Sequence, residues 1–248
     1  MYISSLMIFA CVNIIAVAGL VLLTGYTGIF SIGHAGFLAV GGYAAVILFK
    51  HFGVPFLPAL LCGGICAVIV SVIIGYPALR NKMAGDAFAI VMLGFVAVVR
   101  ITISNIYPFF EGAHGISDIP RLTTIWTVLP ITVIMVWLMR NFLKSHYGKN
   151  CIAINQQELA AEMVGVDTVK AKLIALMISA FYGGISGGLF SFFATYIAPT
   201  TFAEAKSDDL LAAVVLGGMC SLSGPILATV FLVILPEVLR FLVLWRLV

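Results

Sequence analysis

The residues able to do chemistry in this chain are few, and they gather in two glycine-rich stretches. GYTGIFSIGHAGFLAVGGYAA, residues 25–45, carries Gly25, Gly28, Gly33, Gly36, Gly41 and Gly42, with Ser31 and His34 among them. So many glycines in an apolar run weaken a continuous helix. Two readings stand side by side. In one, the glycines let helix backbones pack closely, as Gly183, Gly184, Gly187 and Gly188 could. In the other, the helix is broken and its freed amides and carbonyls line a substrate path. Polar groups at membrane depth are costly and tend to be functional, which places Ser31 and His34 in the second reading. The chemistry would be solvation by dipoles, with no bond made or broken. VLGGMCSLSGP, residues 215–225, repeats the pattern with Gly217, Gly218, Ser221 and Gly224 ahead of Pro225. A buried turn on the same path and plain packing are again both open.

Other chemistry lacks residues to carry it. The chain has no G-x-x-x-x-G-K-[ST], no H-E-x-x-H and no G-x-S-x-G string. His34, His51, His114 and His146 are scattered. Cys62 and Cys66 share a helical face, but no His or acid stands near them, so they read as packing groups. The expectation is a non-enzyme with no metal or cofactor of its own. Asp86 and Arg100 lie 14 residues apart, about 21 Å along a helix, so they cannot pair within it and read as interfacial or snorkelling charges. Glu237 and Arg240 are one turn apart and could pair.

The elements that must position these residues follow from composition. Of 248 residues, 62% are hydrophobic and 9% charged, against about 25% charged in a soluble domain. That composition calls for a bilayer. The fold class expected is all-α, a polytopic transmembrane bundle in one domain, 1–248, with about seven or eight hydrophobic segments, some broken or re-entrant. A helix crosses the hydrocarbon in about 20 apolar residues. The candidates are 4–24, 35–50, 56–76, 87–107, 124–140, 173–197, 210–220 and 225–244. The opening residues lack a basic n-region, so no cleavable signal is expected. Basic residues flank the spans and form no stripe, which argues against nucleic acid as a partner.

Residues 141–172 interrupt the apolar pattern with a polar loop holding an amphipathic stretch. With Arg140 included, it carries Lys144, Lys149, Lys170 and Lys172 against Glu158, Glu162 and Asp167. Excess Lys and Arg beside spans marks the cytoplasmic side. Alternation then puts Arg80 and Lys82 inside as well. Lys50, residues 111–121 and the acidic EAKSDD at 204–209 fall outside, and so does the N-terminus. Glu111, Asp118, Glu204, Asp208 and Asp209, with Glu237, would form an acidic platform there. Residues 210–220 are only about half a span long. A full crossing would carry Arg240 and Arg246 outside, and a re-entrant half-helix would return them inside. A helix over 156–164 is expected to dock a soluble motor, with Ala160, Ala161 and Gly165 allowing close approach and Leu159, Met163 and Val166 filling a groove.

Several strings together resemble branched-chain amino acid ABC transporter permeases, especially of the LivM type. They are GYTGIFSIGHAGFLAVGGYAA, then GDAFAIVMLGFVAVVR with EGAHGISDIPRL, NQQELAAEMVGVDTVKAKLIAL, and LLAAVVLGGMCSLSGPILATVFLVILPEVLR, which fall in the family's order across most of 25–240. The resemblance implies an ATP-driven importer subunit for branched-chain or related hydrophobic amino acids, in a bacterial-type inner membrane. It implies a second permease subunit, identical or different, cytoplasmic ATP-binding subunits that hold the ATP, and an extracytoplasmic substrate-binding protein. It makes Glu158, Leu159, Ala160, Ala161, Glu162, Met163 and Gly165 the ATPase-coupling residues. Two departures stand out: Leu159 replaces the Glu of the family's E-A-A-x-x-x-G, and Ala97 stands where a Glu precedes Arg100. The family usually continues past the final Pro-Glu-x-x-Arg element, so a fragment or a shortened form is expected. A permease for urea, a sugar or a nucleoside, and a stand-alone secondary transporter or channel, are the alternatives.

Overall fold

The computed structural model describes residues 2–81, 85–106 and 112–246. Lys82 and Glu111, and the side chains of Arg240 and Arg246, lie outside what is described. Ten α-helices make up the described chain: α1 Tyr2–Leu20, α2 His34–Phe52, α3 Phe56–Arg80, α4 Gly85–Asn105, α5 Ile125–Lys144, α6 His146–Gln156, α7 Glu158–Met163, α8 Thr168–Ala194, α9 Glu204–Gly217 and α10 Ser223–Arg246. A π-helical turn, Val21–Tyr26, prolongs α1. The described residues contain no strand, only an isolated bridge between Ile116 and Ile197. Six helices, α1 with its π turn, α2 to α5 and α8, are long and apolar enough to cross a membrane.

Length and sequence set these helices, and packing ranks them. Asp167 caps α8 by accepting the Lys170 amide at 3.0 Å, satisfying a donor that the helix start leaves free. Gly53 ends α2 in the left-handed conformation. Within its most apolar window α1 is 72% buried and α8 67%, against 22% for α5, so α1 and α8 form the axis and α5 is the most exposed of the six. Around that axis α2, α3 and α8 meet backbone to backbone. A Cβ at Gly41 would collide with the Gly184 backbone, and one at Gly187 with the Leu38 carbonyl. Here the packing reading of the glycines holds.

The two faces of the bundle are told apart by their tethers. On one, Arg121 donates to Ser5 Oγ at 3.2 Å and Lys50 to the Ser117 carbonyl. The other carries α6 and α7 and is called the loop face below.

The last third departs from the expected pattern. EAKSDD, expected in an outer loop, forms the first turns of α9. An acid at a helix start is favoured by the helix dipole, and Glu204 occupies that turn. Ser207 Oγ accepts the Ala35 amide at 2.9 Å, inside the bundle. Helix α9 has 14 residues, about 21 Å, and the 3-10 turn Pro199–Phe202 lengthens the segment. It thereby runs from the Ile116–Ile197 bridge to Met219, which abuts Gly25 at the loop face. Helix α10 climbs back beside α1. Neither α9 nor the described part of α10 is among the helices long and apolar enough to cross a membrane alone.

Candidate functional site

The two glycine-rich stretches meet at the loop face. The π turn widens the end of α1, a departure from α-geometry frequent at functional sites. Thr27 Oγ1 donates back to the Leu23 carbonyl, and Gly28 turns the chain at φ +71°, where only glycine is unstrained. A Cβ at Gly25 would strike the Met219 carbonyl, and one at Gly28 the Asn155 side chain. Asn155 Nδ2, from α6, donates to the Gly25 carbonyl at 2.7 Å. Gly25 is thus clasped between α6 on one side and the α9–α10 turn on the other. A cavity of about 400 Å³ opens beside the clasp, with Thr27, Gly28, Asn155, Glu158 and Lys172 in its wall.

The other residues expected on the path are packed. Gly33 faces Met92, and Gly36 faces the Phe95 ring. Ser31 is buried and accepts the Gly33 amide at 3.4 Å. His34 is fully buried with neither ring nitrogen hydrogen-bonded, edge-on to Phe37 with ring centroids 6.3 Å apart. Gly217 and Gly224 abut each other, Ser221 Oγ accepts the Gly224 amide at 3.3 Å, and Gly218 turns at φ +88°. Of the ten, Gly28 lines the loop-face cavity and the others make turns or tight contacts. Their small size serves close approach first.

The residues expected to couple form a compact unit. The helix expected over 156–164 is α7, set off from α6 by Gln157 in extended conformation. Leu159 is 73% exposed, Met163 89% and Val164 79%, an apolar knob on a solvated face. Ala160 is exposed while Ala161 is buried. Val166, expected in the knob, instead packs with Ile154, Ala161 and Ala171. The reason lies in Gly165. At φ +85° it closes α7 with bonds from its own amide to the Glu162 carbonyl and from the Val166 amide to the Ala161 carbonyl, both 3.0 Å. That is a Schellman motif with its apolar contact. Gly165 thus terminates the helix, with open space around it. Glu158 pairs with Lys172 at 2.5 Å, and Glu162 accepts from Thr168 Oγ1 at 2.9 Å. Both acids tie α7 to α8. Burial pushes the Cys151 thiol of α6 up to about 11, so it is an inert packing group there.

Sequence reasoning missed two sets of residues. Asn155 was passed over as one polar residue of a polar loop. Asn13 and Lys206 were missed because one sits in an apolar run and the other in the expected outer loop. Lys206 Nζ donates to Asn13 Oδ1 at 2.9 Å and lies 4.7 Å from the Phe9 ring centroid. Glu204 lies 3.8 Å from Arg100, which gives that span arginine a partner. Among the described residues no group of three or more His, Cys, Asp or Glu side chains is placed to hold a metal ion.

Over residues 2–247 the chain matches the family model described as branched-chain amino acid transport system / permease component. The chain belongs to this permease family. It is 30% identical over 263 residues to the high-affinity branched-chain amino acid transport system permease protein LivM of Salmonella typhimurium, covering 92% of this chain and 61% of that protein. LivM of Escherichia coli matches at the same identity and coverage. The guanosine ABC transporter permease protein NupQ of Bacillus subtilis is 24% identical, over 66% of this chain and 59% of its own. This chain therefore spans about three-fifths of the length of these relatives. No solved structure matches it. Six apolar helices of spanning length in a permease family make it an integral membrane protein.

Proposed function

We propose that the chain is a membrane permease subunit of an ATP-driven ABC importer for branched-chain or related hydrophobic amino acids. It works with a second permease subunit, identical or different, two ATP-binding subunits at the loop face and a substrate-binding protein at the other. The loop face is the cytoplasmic one: Arg80, Arg140, Lys144, Lys149, Lys170 and Lys172 flank the helix ends there. ATP chemistry belongs to the partners; this chain supplies path and lever.

The observation that carries the reading is the loop-face unit. Its knob of Leu159, Met163 and Val164 is an apolar patch on a short helix, suited to a groove in a partner. A push on that knob reaches α8 through Glu158–Lys172 and Glu162–Thr168. It reaches the end of α1 through Asn155 and the Gly25 carbonyl. The helix welded to α2 and α3 and the hinge beside Gly28 are thus moved together. The glycine elements Gly25–Gly36 and Gly217–Gly224 act as hinge and close-packed turn beside the path.

The test is leucine uptake into proteoliposomes holding the chain with its co-purified subunits, with binding protein inside or outside as orientation requires. ATP-dependent leucine accumulation is expected, and Met163→Asp should abolish it while the chain still inserts. The guanosine relative favours a second reading, a nucleoside substrate. ATP-driven guanosine uptake without leucine uptake would establish that reading and overturn the first.

A further inference from the structure

A second cavity, of about 440 Å³, lies between α1, α9 and α10. Asn13 fixes its depth. It is midway along the span Ile3–Tyr26, roughly 15 Å from one end and 20 Å from the other at 1.5 Å per residue. Lys206 reaches that level to donate to Asn13, which is itself 5% exposed. An ammonium at the middle of a bilayer is costly and marks a functional position. Asn13 takes one of its three donor directions, and a lysine ammonium has two more. Asp209 stands three residues further on α9, on the same helical face, and borders the same cavity. The remaining wall is apolar, with Leu6, Val17, Leu210, Leu232 and Val233 from three helices. Thr229 adds a hydroxyl whose proton is already given to the Pro225 carbonyl at 2.7 Å. Only its acceptor lone pair remains.

A fixed cation, a fixed anion one helical turn away and an apolar wall describe the complement of one chemical class. We propose that this cavity is a mid-membrane subsite for a small zwitterionic α-amino acid with an apolar side chain. The ligand's carboxylate meets the Lys206 ammonium, its ammonium meets Asp209 and the Thr229 oxygen, and its side chain lies against Leu210, Leu232 and Val233. The volume falls within the range of about 300–1,000 Å³ usual for small-molecule sites. Both charges of the ligand are neutralised at the depth where uncompensated charge costs most. This inference rests on the importer reading and assigns that path its charged residues.

The experiment measures leucine binding to the complete permease–ATPase complex in nanodiscs, without binding protein, beside ATP-driven leucine uptake. Wild type, Lys206→Met, Lys206→Arg and Asp209→Asn are compared, with melting temperature and basal ATP hydrolysis as controls for folding. Lys206→Met and Asp209→Asn should each weaken leucine binding and lower uptake at least tenfold with basal hydrolysis unchanged. Lys206→Arg, which keeps the charge and a donor to Asn13, should stay within about threefold of wild type in binding. Leucinol, which lacks the carboxylate, should compete with leucine at the wild-type site at least tenfold more weakly than at Lys206→Met. Wild-type uptake of leucine together with unchanged binding in Lys206→Met and Asp209→Asn would overturn the subsite and leave the importer intact. A folded Lys206→Arg that binds as poorly as Lys206→Met would overturn the charge assignment. No ATP-driven leucine uptake by wild type would instead overturn the importer reading itself.

Discussion

The α2–α3–α8 side and the α1–α9–α10 side of this bundle solve the membrane in opposite ways. The first is dry and welded, with Gly41, Gly184 and Gly187 bringing backbones together where a methyl group would collide. The second leaves a cavity of about 440 Å³ and puts Asn13, Lys206 and Asp209 around it. The contrast teaches that small residues and polar residues need not mark the same function. In this chain glycines build the rigid half, and the charges gather where helices stay apart. The clasp of Gly25 by Asn155 and Met219 joins the halves at the loop face.

The largest effect should come from breaking the weld. Gly187→Leu drives a side chain into the Leu38 carbonyl, overpacking of a kind that costs about 1–3 kcal/mol or more. The protein should be recovered poorly and melt early in a detergent thermal scan. A matched change on the other side, Ala212→Leu at the cavity rim, should leave the melting temperature within a few degrees. Equal melting of the two variants would erase the comparison.

Next comes the knob. Leu159→Asp or Met163→Asp places a carboxylate on an exposed apolar patch. Affinity for the ATP-binding subunits should fall at least tenfold in pull-down titrations, with the bundle's own melting unchanged. Gly165 is a poor choice for this test, because any side chain at φ +85° strains the end of α7 and confuses folding with docking.

Asn155→Ala removes one hydrogen bond to Gly25, worth about 1 kcal/mol. ATP hydrolysis should persist while leucine moved per ATP falls several-fold. Equal coupling ratios in Asn155→Ala and wild type would mean that the clasp transmits nothing. The smallest effect concerns Asp167. Its carboxyl is held below the usual carboxylate range by the Lys170 amide and ammonium, so its stabilising share is present above the ordinary aspartate pKa. That share is lost as pH falls through the lowered folded value. Asp167→Asn should flatten the acid side of the stability profile slightly and leave neutral pH almost unchanged.

Much of this fold was legible from the sequence. The six long helices declare themselves by apolar length, and α1 to α5 and α8 fall within a few residues of the expected spans. The start of α9 hid because EAKSDD has the composition of a loop. Only tertiary contact, with Ser207 on the Ala35 amide and Lys206 on Asn13, makes that run part of the interior. Asn13 was invisible inside an apolar stretch for the same reason. The loop between α5 and α8 was legible as a polar, helix-bearing interruption of the apolar pattern, whereas the contacts within it were not. Helical spacing put Val166 on the side of Leu159 and Met163. The Schellman turn at Gly165 ends the helix first and redirects Val166 inward.

On the proposed reading the path runs along α9 beside the cavity, and the glycine-rich start of α2 is closed packing. Substituted-cysteine reactivity tests this directly, in a variant whose five native cysteines are replaced by Ala or Ser. Ala212→Cys, at the cavity rim, should react with a small charged thiosulfonate in the assembled complex, and leucine should slow that reaction. Ala39→Cys, buried on α2, should stay unmodified in every nucleotide state. Leucine-protected labelling at position 39 with an inert position 212 would contradict the account and return the path to the glycines.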